Sequence, residues 1–270
     1  MSNWNLFLFG IYPYIALAIC LIGSWARFDL SQYSWKAGSS QVFNRTAAEQ
    51  RYMRIASNLF HVGVLFILAG HFVGLLMPEA LYHSFISTAH KQLLAMVSGG
   101  FFGILCLIGL LMLVKRRLGD PRVRANSNTS DILILLVLLA QLVLGLLTIV
   151  ASTGHLDGSV MVMLANWAQS TVTLQPMQAA AAIAPVSLVY KLHVALGLTL
   201  FVLFPFTRLV HIVSAPVWYL GRRYQIVRQK AVRPVAPRPA VRPAAAPAHG
   251  APAKAPAAGF AMSVAPVKER

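Results

Sequence analysis

Eight histidines occur in the 270-residue chain, and four of them stand where an imidazole is hardest to keep. His61 and His71 lie in one long apolar stretch, and His193 and His211 lie in another. His83, His90 and His155 fall at stretch ends or in connections, and His249 lies near the C-terminus. Ionisable groups at membrane depth are costly and turn toward the protein interior or a cofactor. At roughly 100° per residue, His193 and His211 are separated by about five whole turns, while His61 and His71 are offset by about 80°. Each stretch therefore presents two imidazoles to one side. Imidazole is a strong axial ligand for haem iron, and helix bundles commonly house such groups. With the two stretches antiparallel, the expected pairs are His61 with His211 and His71 with His193, which would hold two haems across the bilayer.

The competing reading makes each histidine an interhelical hydrogen-bonding group, or a ligand for another metal. Four histidines, two per stretch, weigh toward haem. Neither stretch contains Asp or Glu, which weighs against a third reading, a proton-coupled transporter. The heights do not match on an ideal axis, since ten residues rise about 15 Å and eighteen about 27 Å. Pro205 lies between His193 and His211 and is expected to kink the helix. Gly63, Gly70, Gly74 and Gly197 lie near the four histidines, either to admit a flat macrocycle or to let helices pack closely.

The elements that carry these residues follow from composition. The chain is 57 % hydrophobic and 11 % charged, with a mean hydropathy of +0.66. Soluble domains carry about 25 % charged residues, so a soluble enzyme is excluded. So are a wholly disordered chain and, with two Cys, a disulfide framework. The expected fold is an all-α integral membrane protein with five transmembrane helices in a bundle. The spans are predicted at Trp4 to Ala26, Ile55 to Met77, Gln92 to Val114, Ile132 to Ala151, and Val186 to about Val213. Pro78 and the Lys115-Arg116-Arg117 run are expected to stop the second and third. The first stretch has no basic leader and no small-residue cleavage site, so it reads as a span and not a signal peptide.

Of the 23 Lys and Arg residues, all but Lys91 and Lys191 fall in connections 1–2 and 3–4, their flanks, or the C-terminal side. The positive-inside rule then predicts an N-terminus outside and a cytoplasmic C-terminus. The net charge of +16 is mostly this topology facing anionic membrane lipid, with no nucleic-acid role. Cys20 and Cys106 lie inside spans and read as packing residues. The chain divides into a membrane domain, 1–230, and a Pro/Ala-rich basic tail, 231–270, that cannot form a packed core.

Several runs together resemble the γ subunit of respiratory nitrate reductase. They are Ile11-Tyr12-Pro13-Tyr14, Ile22-Gly23-Ser24-Trp25, Ala56-Ser57-Asn58-Leu59-Phe60-His61, Lys115-Arg116-Arg117 with Pro121-Arg122-Val123-Arg124, and Leu156-Asp157-Gly158-Ser159 with Trp167-Ala168-Gln169-Ser170. To these are added Phe204-Pro205-Phe206-Thr207-Arg208-Leu209-Val210-His211, Ala215-Pro216-Val217 and Arg222-Arg223-Tyr224-Gln225. The resemblance covers roughly residues 1–230, and the tail departs from it.

The resemblance implies a five-span cytochrome with two haem b in a bacterial inner membrane. Its axial ligands would be His61 with His211 for the inner haem and His71 with His193 for the outer. It would oxidise quinol, menaquinol or ubiquinol, and pass electrons to an iron–sulfur (beta) subunit. A molybdenum (alpha) subunit would then reduce nitrate in the cytoplasm, with protons released outside. The family's quinol-site lysine falls on Lys91, with His71 and Gly70 beside it. A cation there would favour an anionic quinolate oxygen, although a lysine at a span end commonly only snorkels. Arg208 and Arg54 are candidates for meeting haem propionates, or are simply inside charges. The Trp218-Tyr219-Leu220 segment mixes aromatic anchors with nearby charge and suits partner docking. The alternative within the same superfamily is a dihaem quinone-linked subunit of another reductase, of heterodisulfide or sulfite type.

Overall fold

The structure, a computed structural model, describes residues 2–30 and 43–213. The Ala215-Pro216-Val217 and Arg222-Arg223-Tyr224-Gln225 runs, the Trp218-Tyr219-Leu220 segment and the 231–270 tail named above lie outside the described residues. Among the described residues all regular structure is helical, and five helices are long and apolar enough to cross a membrane. They begin with α1 (Asn3–Leu30), α2 (Ala47–Leu76), α3 (Thr88–Gly119) and α4 (Thr129–Ser152). Two shorter helices follow, α5 (Ser159–Val172) and α6 (Pro176–Ile183). The last is α7 (Leu188–Leu203), which continues into 3-10 turns at Phe204–Phe206 and Arg208–Ile212.

The observed spans differ from expectation mostly at their polar ends. Helix α2 starts eight residues before Ile55. Thr46 caps it by accepting from the Glu49 N–H at 3.1 Å, and Glu49 reaches back to the Arg45 N–H at 2.8 Å. A capped polar turn is good helix but poor membrane span, so an apolarity criterion misses it. Helix α3 runs through Lys115-Arg116-Arg117 to Gly119 and stops two residues before Pro121. Basic residues end the apolar segment, whereas Pro ends the helix. Helix α4 starts at a capping box formed by Asn128 and Asp131. The connection between the fourth and fifth spans carries α5 and α6.

Helix α2 packs on α3, α3 on α4, α4 on α7, and α7 on α1. The closest approaches use small residues. A Cβ on Gly109 of α3 would lie 2.4 Å from the Phe60 backbone N, and one on Gly63 of α2 would lie 2.6 Å from Cys106 Cβ. In lipid, where apolar burial drives little helix association, this backbone proximity supplies the dispersion contact. Cys106 is buried in that contact, its thiol directed at the Phe60 carbonyl, which fits the packing role read from sequence. Among the described residues α2 and α7 are not a closely packed pair.

The best-buried cluster lies where α5 and α6 meet α1 and α7, around Phe9, Trp167, Ile183 and Tyr190. There α1 contains a π turn at Phe7–Ile11. Trp167 Nε1–H donates to the Phe9 carbonyl at 3.0 Å, and Tyr14 donates to the Thr171 carbonyl at 3.1 Å. Elsewhere large apolar side chains face outward, Phe72 being 68 % exposed. A contiguous apolar surface of this kind suits lipid and not water.

Candidate functional site

The rings of His71 on α2 and His193 on α7 have centres 6.0 Å apart and planes at 36°. A metal–imidazole bond is about 2 Å, so one metal atom between two imidazoles sets their ring centres about 6 Å apart. The pair therefore has the spacing of two axial ligands on a shared metal.

Three of the four imidazoles are oriented by backbone. His61 Nδ1 lies 2.7 Å from the Ser57 carbonyl, and His71 Nδ1 lies 2.8 Å from the Ile67 carbonyl. His211 Nδ1 bonds the Arg208 carbonyl. A carbonyl only accepts, so each Nδ1 is assigned as the N–H donor and each Nε2 carries the lone pair. This is the second-sphere arrangement that fixes tautomer and ring plane in a metal-ligating histidine. In α2 the acceptor is four residues back, a direct consequence of helix geometry.

His193 is held differently. Gln141 Nε2 on α4 donates to the His193 carbonyl at 3.1 Å and lies 3.5 Å from the ring's Nε2. His193 Nδ1 and Gln141 Oε1 are buried without a hydrogen-bond partner. A Cβ on Gly145, one turn from Gln141, would lie 3.0 Å from the His193 ring. Helix α4 therefore shapes one wall of the His193 site, which the sequence reading missed. The available signal was Gln141 itself, the lone polar side chain between Ile132 and Leu147.

Among the described residues no three His, Cys, Asp or Glu side chains converge. His71 and His193 are the two candidate donors that the structure brings near each other.

The break in the fifth span revises the phase argument for His211. Helix α7 ends at Leu203, Pro205 lies in a 3-10 turn, and Thr207 is extended (φ −122°, ψ 178°). His211 stands on the separate turn Arg208–Ile212. The expected kink at Pro205 is present as a full break, so the ideal 27 Å rise does not apply. Arg27 of α1 anchors the break by donating to the Pro205 and Thr207 carbonyls.

Arg208 is paired with Asp131 of α4, Nε to Oδ1 at 2.9 Å. Arg54 is exposed on α2 about two turns before His61, on the same face. Gly70 has nothing within 4 Å of an ideal Cβ, in contrast to Gly63, so its face beside His71 is open.

Lys91 does not snorkel outward. It is 8 % exposed, and its Nζ lies 3.7 Å from the centre of the buried Tyr82 ring. Tyr82 OH is 3.3 Å from Thr88 Oγ1, which in turn is 2.9 Å from His83 Nε2. Lys191, the other cation of that side, donates to the Ala184 carbonyl at 2.7 Å instead.

The architecture and site define a multi-pass, all-helical membrane protein with paired imidazoles between its helices. A family model, nitrate reductase gamma subunit, matches residues 5–230. The chain is 52 % identical to respiratory nitrate reductase 1 gamma chain of Escherichia coli (strain K12), over 85 % of this chain and 100 % of that one. It is 35 % identical to nitrate reductase gamma chain of Bacillus subtilis (strain 168), over 83 % of this chain and 98 % of that one. It is also 36 % identical to nitrate reductase-like protein NarX of Mycobacterium tuberculosis (strain ATCC 25618 / H37Rv), over 82 % of this chain and 33 % of that longer protein. The chain belongs to the nitrate reductase gamma subunit family, and is therefore a subunit of a nitrate reductase complex that includes other subunits.

Proposed function

We propose that this chain is the dihaem b-type cytochrome that anchors a respiratory nitrate reductase in a bacterial inner membrane. It oxidises quinol, menaquinol or ubiquinol, on the outer side. Electrons go to an iron–sulfur (beta) subunit and then a molybdenum (alpha) subunit on the cytoplasmic side, and protons are released outside. The observation that carries the reading is the 6.0 Å separation of the His71 and His193 rings, together with the family assignment.

His71 and His193 would hold one haem, nearer Lys91, and His61 and His211 the other. Haem bound there supplies one-electron redox chemistry between a two-electron donor and the partner subunits. The chain's own residues do the rest. The Ser57, Ile67 and Arg208 carbonyls hold the Nδ1 protons and present Nε2. Lys91, desolvated against Tyr82, hydrogen-bonds a quinol oxygen and stabilises negative charge on it as protons leave. The open face at Gly70 admits the quinol ring beside His71. Arg54, on the His61 face, and the terminal amines of Arg208 are the candidates for propionate contacts.

The test is a pyridine haemochrome count of haem, with a low-temperature reduced-minus-oxidised spectrum to resolve the two components, on the purified chain with each of the four histidines changed to Ala. Wild type should carry two haems per chain. His71→Ala and His193→Ala should abolish the same spectral component, and His61→Ala and His211→Ala the other. A colourless, well-folded wild-type preparation would overturn the proposal.

A further inference from the structure

At the face that carries Arg117 and Arg208, one carboxylate ties three elements together. Asp131 occupies the first turn of α4, where its Oδ2 accepts from the Asn128 N–H at 3.3 Å. Its Oδ1 accepts from Arg208 Nε at 2.9 Å, and its Oδ2 lies 3.6 Å from Arg117 Nη1 at the end of α3. All three side chains are largely removed from solvent, at 14 % exposure for Asp131, 11 % for Arg117 and 25 % for Arg208. Arg117 Nη1 also donates to Ser127 Oγ at 2.7 Å. Cap, α3 and the turn after Thr207 thus share a single anion.

The consequence lies three residues further along the chain. The Arg208 carbonyl is the acceptor for His211 Nδ1. Thr207 caps the same turn, its Oγ1 3.4 Å from the Leu209 N. The turn Arg208–Ile212 is too short to hold its own orientation, because runs of 3-10 helix have poor hydrogen-bond geometry. Its direction relative to α7 is set from outside, by Arg27 on the Pro205 and Thr207 carbonyls and by Asp131 on the Arg208 side chain. His61 and His71 need no such support, since their acceptors belong to the interior of α2.

We propose that Asp131 is the positioning residue for His211: by pairing with Arg208 it fixes the carbonyl that holds the His211 Nδ1 proton, and so sets the plane and donor strength of that imidazole. The inference rests on the reading of His211 as a haem ligand. It assigns a purpose to the extended residue that breaks the fifth span, Thr207, and to the half-buried Asp131–Arg208 pair, neither of which that reading by itself requires. Loss of such an outer partner typically costs about 10- to 100-fold in metal affinity.

The experiment compares the wild-type complex with Asp131→Asn, Asp131→Glu, Arg208→Lys, Arg117→Gln and His211→Ala. Each is read by haem content, low-temperature electron paramagnetic resonance of the oxidised haems, redox titration, and haem transfer to apomyoglobin. Asp131→Asn and Arg208→Lys should change the resonance signal of one haem only, the one lost in His211→Ala. They should speed its transfer about tenfold, and Asp131→Glu should restore both properties in part. Arg117→Gln removes a charge from the same cluster without touching the Arg208 carbonyl. It should shift the potential of that haem and leave its resonance line shape unchanged. A wild-type line shape and transfer rate in Asp131→Asn would overturn the positioning role. Retention of both haems in His211→Ala would instead overturn the ligand assignment, which distinguishes the two failures.

Discussion

A histidine in a helix interior has a carbonyl four residues behind it within reach of Nδ1, and His61 and His71 both use it. Residue-level chemistry of this kind needs no partner helix. Lys91 is the opposite case. Its burial under Tyr82 depends on the short turn Glu79–Tyr82 folding back over the start of α3. A desolvated cation–ring contact is worth about 2 kcal/mol. Lys91→Ala should slow quinol oxidation by about 10- to 100-fold, the range for losing a hydrogen bond to a charged group, with both haems retained. Steady-state kinetics with a soluble quinol analogue decides it, and unchanged rates would remove Lys91 from the site. The glycines separate in the same way. Gly109→Ala places a methyl against the Phe60 and Ala56 backbone and should destabilise the fold by about 1–3 kcal/mol. Gly70→Ala should leave thermal stability unchanged, because nothing lies near its Cβ. Equal melting temperatures in detergent for the two variants would contradict this.

Among the elements, the connection between α4 and α5 is held by polar contacts. Gln92 donates to the His155 carbonyl at 2.6 Å, and Gly158 takes a left-handed φ of 85° as the cap of α5. A side chain at Gly158 would be strained by that φ and would also strike Thr88, 2.6 Å from the ideal Cβ. Asp157 accepts from the Ser159 hydroxyl at 2.9 Å, and those bonds to Ser159 hold its carboxyl below the usual aspartate range. The folded value is depressed, so its contribution is complete above the unfolded value of about 3.9. It fades as pH falls from there through the folded value. The protection factor of the Ser159 amide, its slowing relative to intrinsic exchange, should therefore fall in acid in the wild type, and Asp157→Asn should show a lower protection factor with no acid dependence. A pH-independent wild type would refute the assignment.

For the whole molecule, the two ends differ in what stabilises them. One end gathers arginines on backbone carbonyls and carboxylates, as in Arg27 on Pro205 and Thr207, the Asp131 pair and Arg122 with Asp120. The other gathers α5, α6 and the neutral hydrogen bonds of Trp167, Gln92 and Gln169. Positive charge is retained on the cytoplasmic side, so an Asn126→Cys variant should resist a membrane-impermeant maleimide in intact cells. A Thr173→Cys variant, exposed at the end of α5, should react. The reverse pattern would invert the proposed direction of proton release.

Residue order by itself determined the membrane class, the five apolar spans and the four histidines, because apolarity and intrahelical hydrogen bonding are local properties. It also located the weak point at Pro205, since a missing N–H acts on its own turn. Tertiary structure alone decided the 6.0 Å separation of the His71 and His193 rings, whose pairing the sequence had only suggested, and that Gln141 and Gly145 wall His193. It alone decided that Asp131 reaches Arg208, a residue 77 positions away. Those relations depend on how helices far apart in sequence pack side by side. No periodicity within one helix records which neighbour its polar face will find.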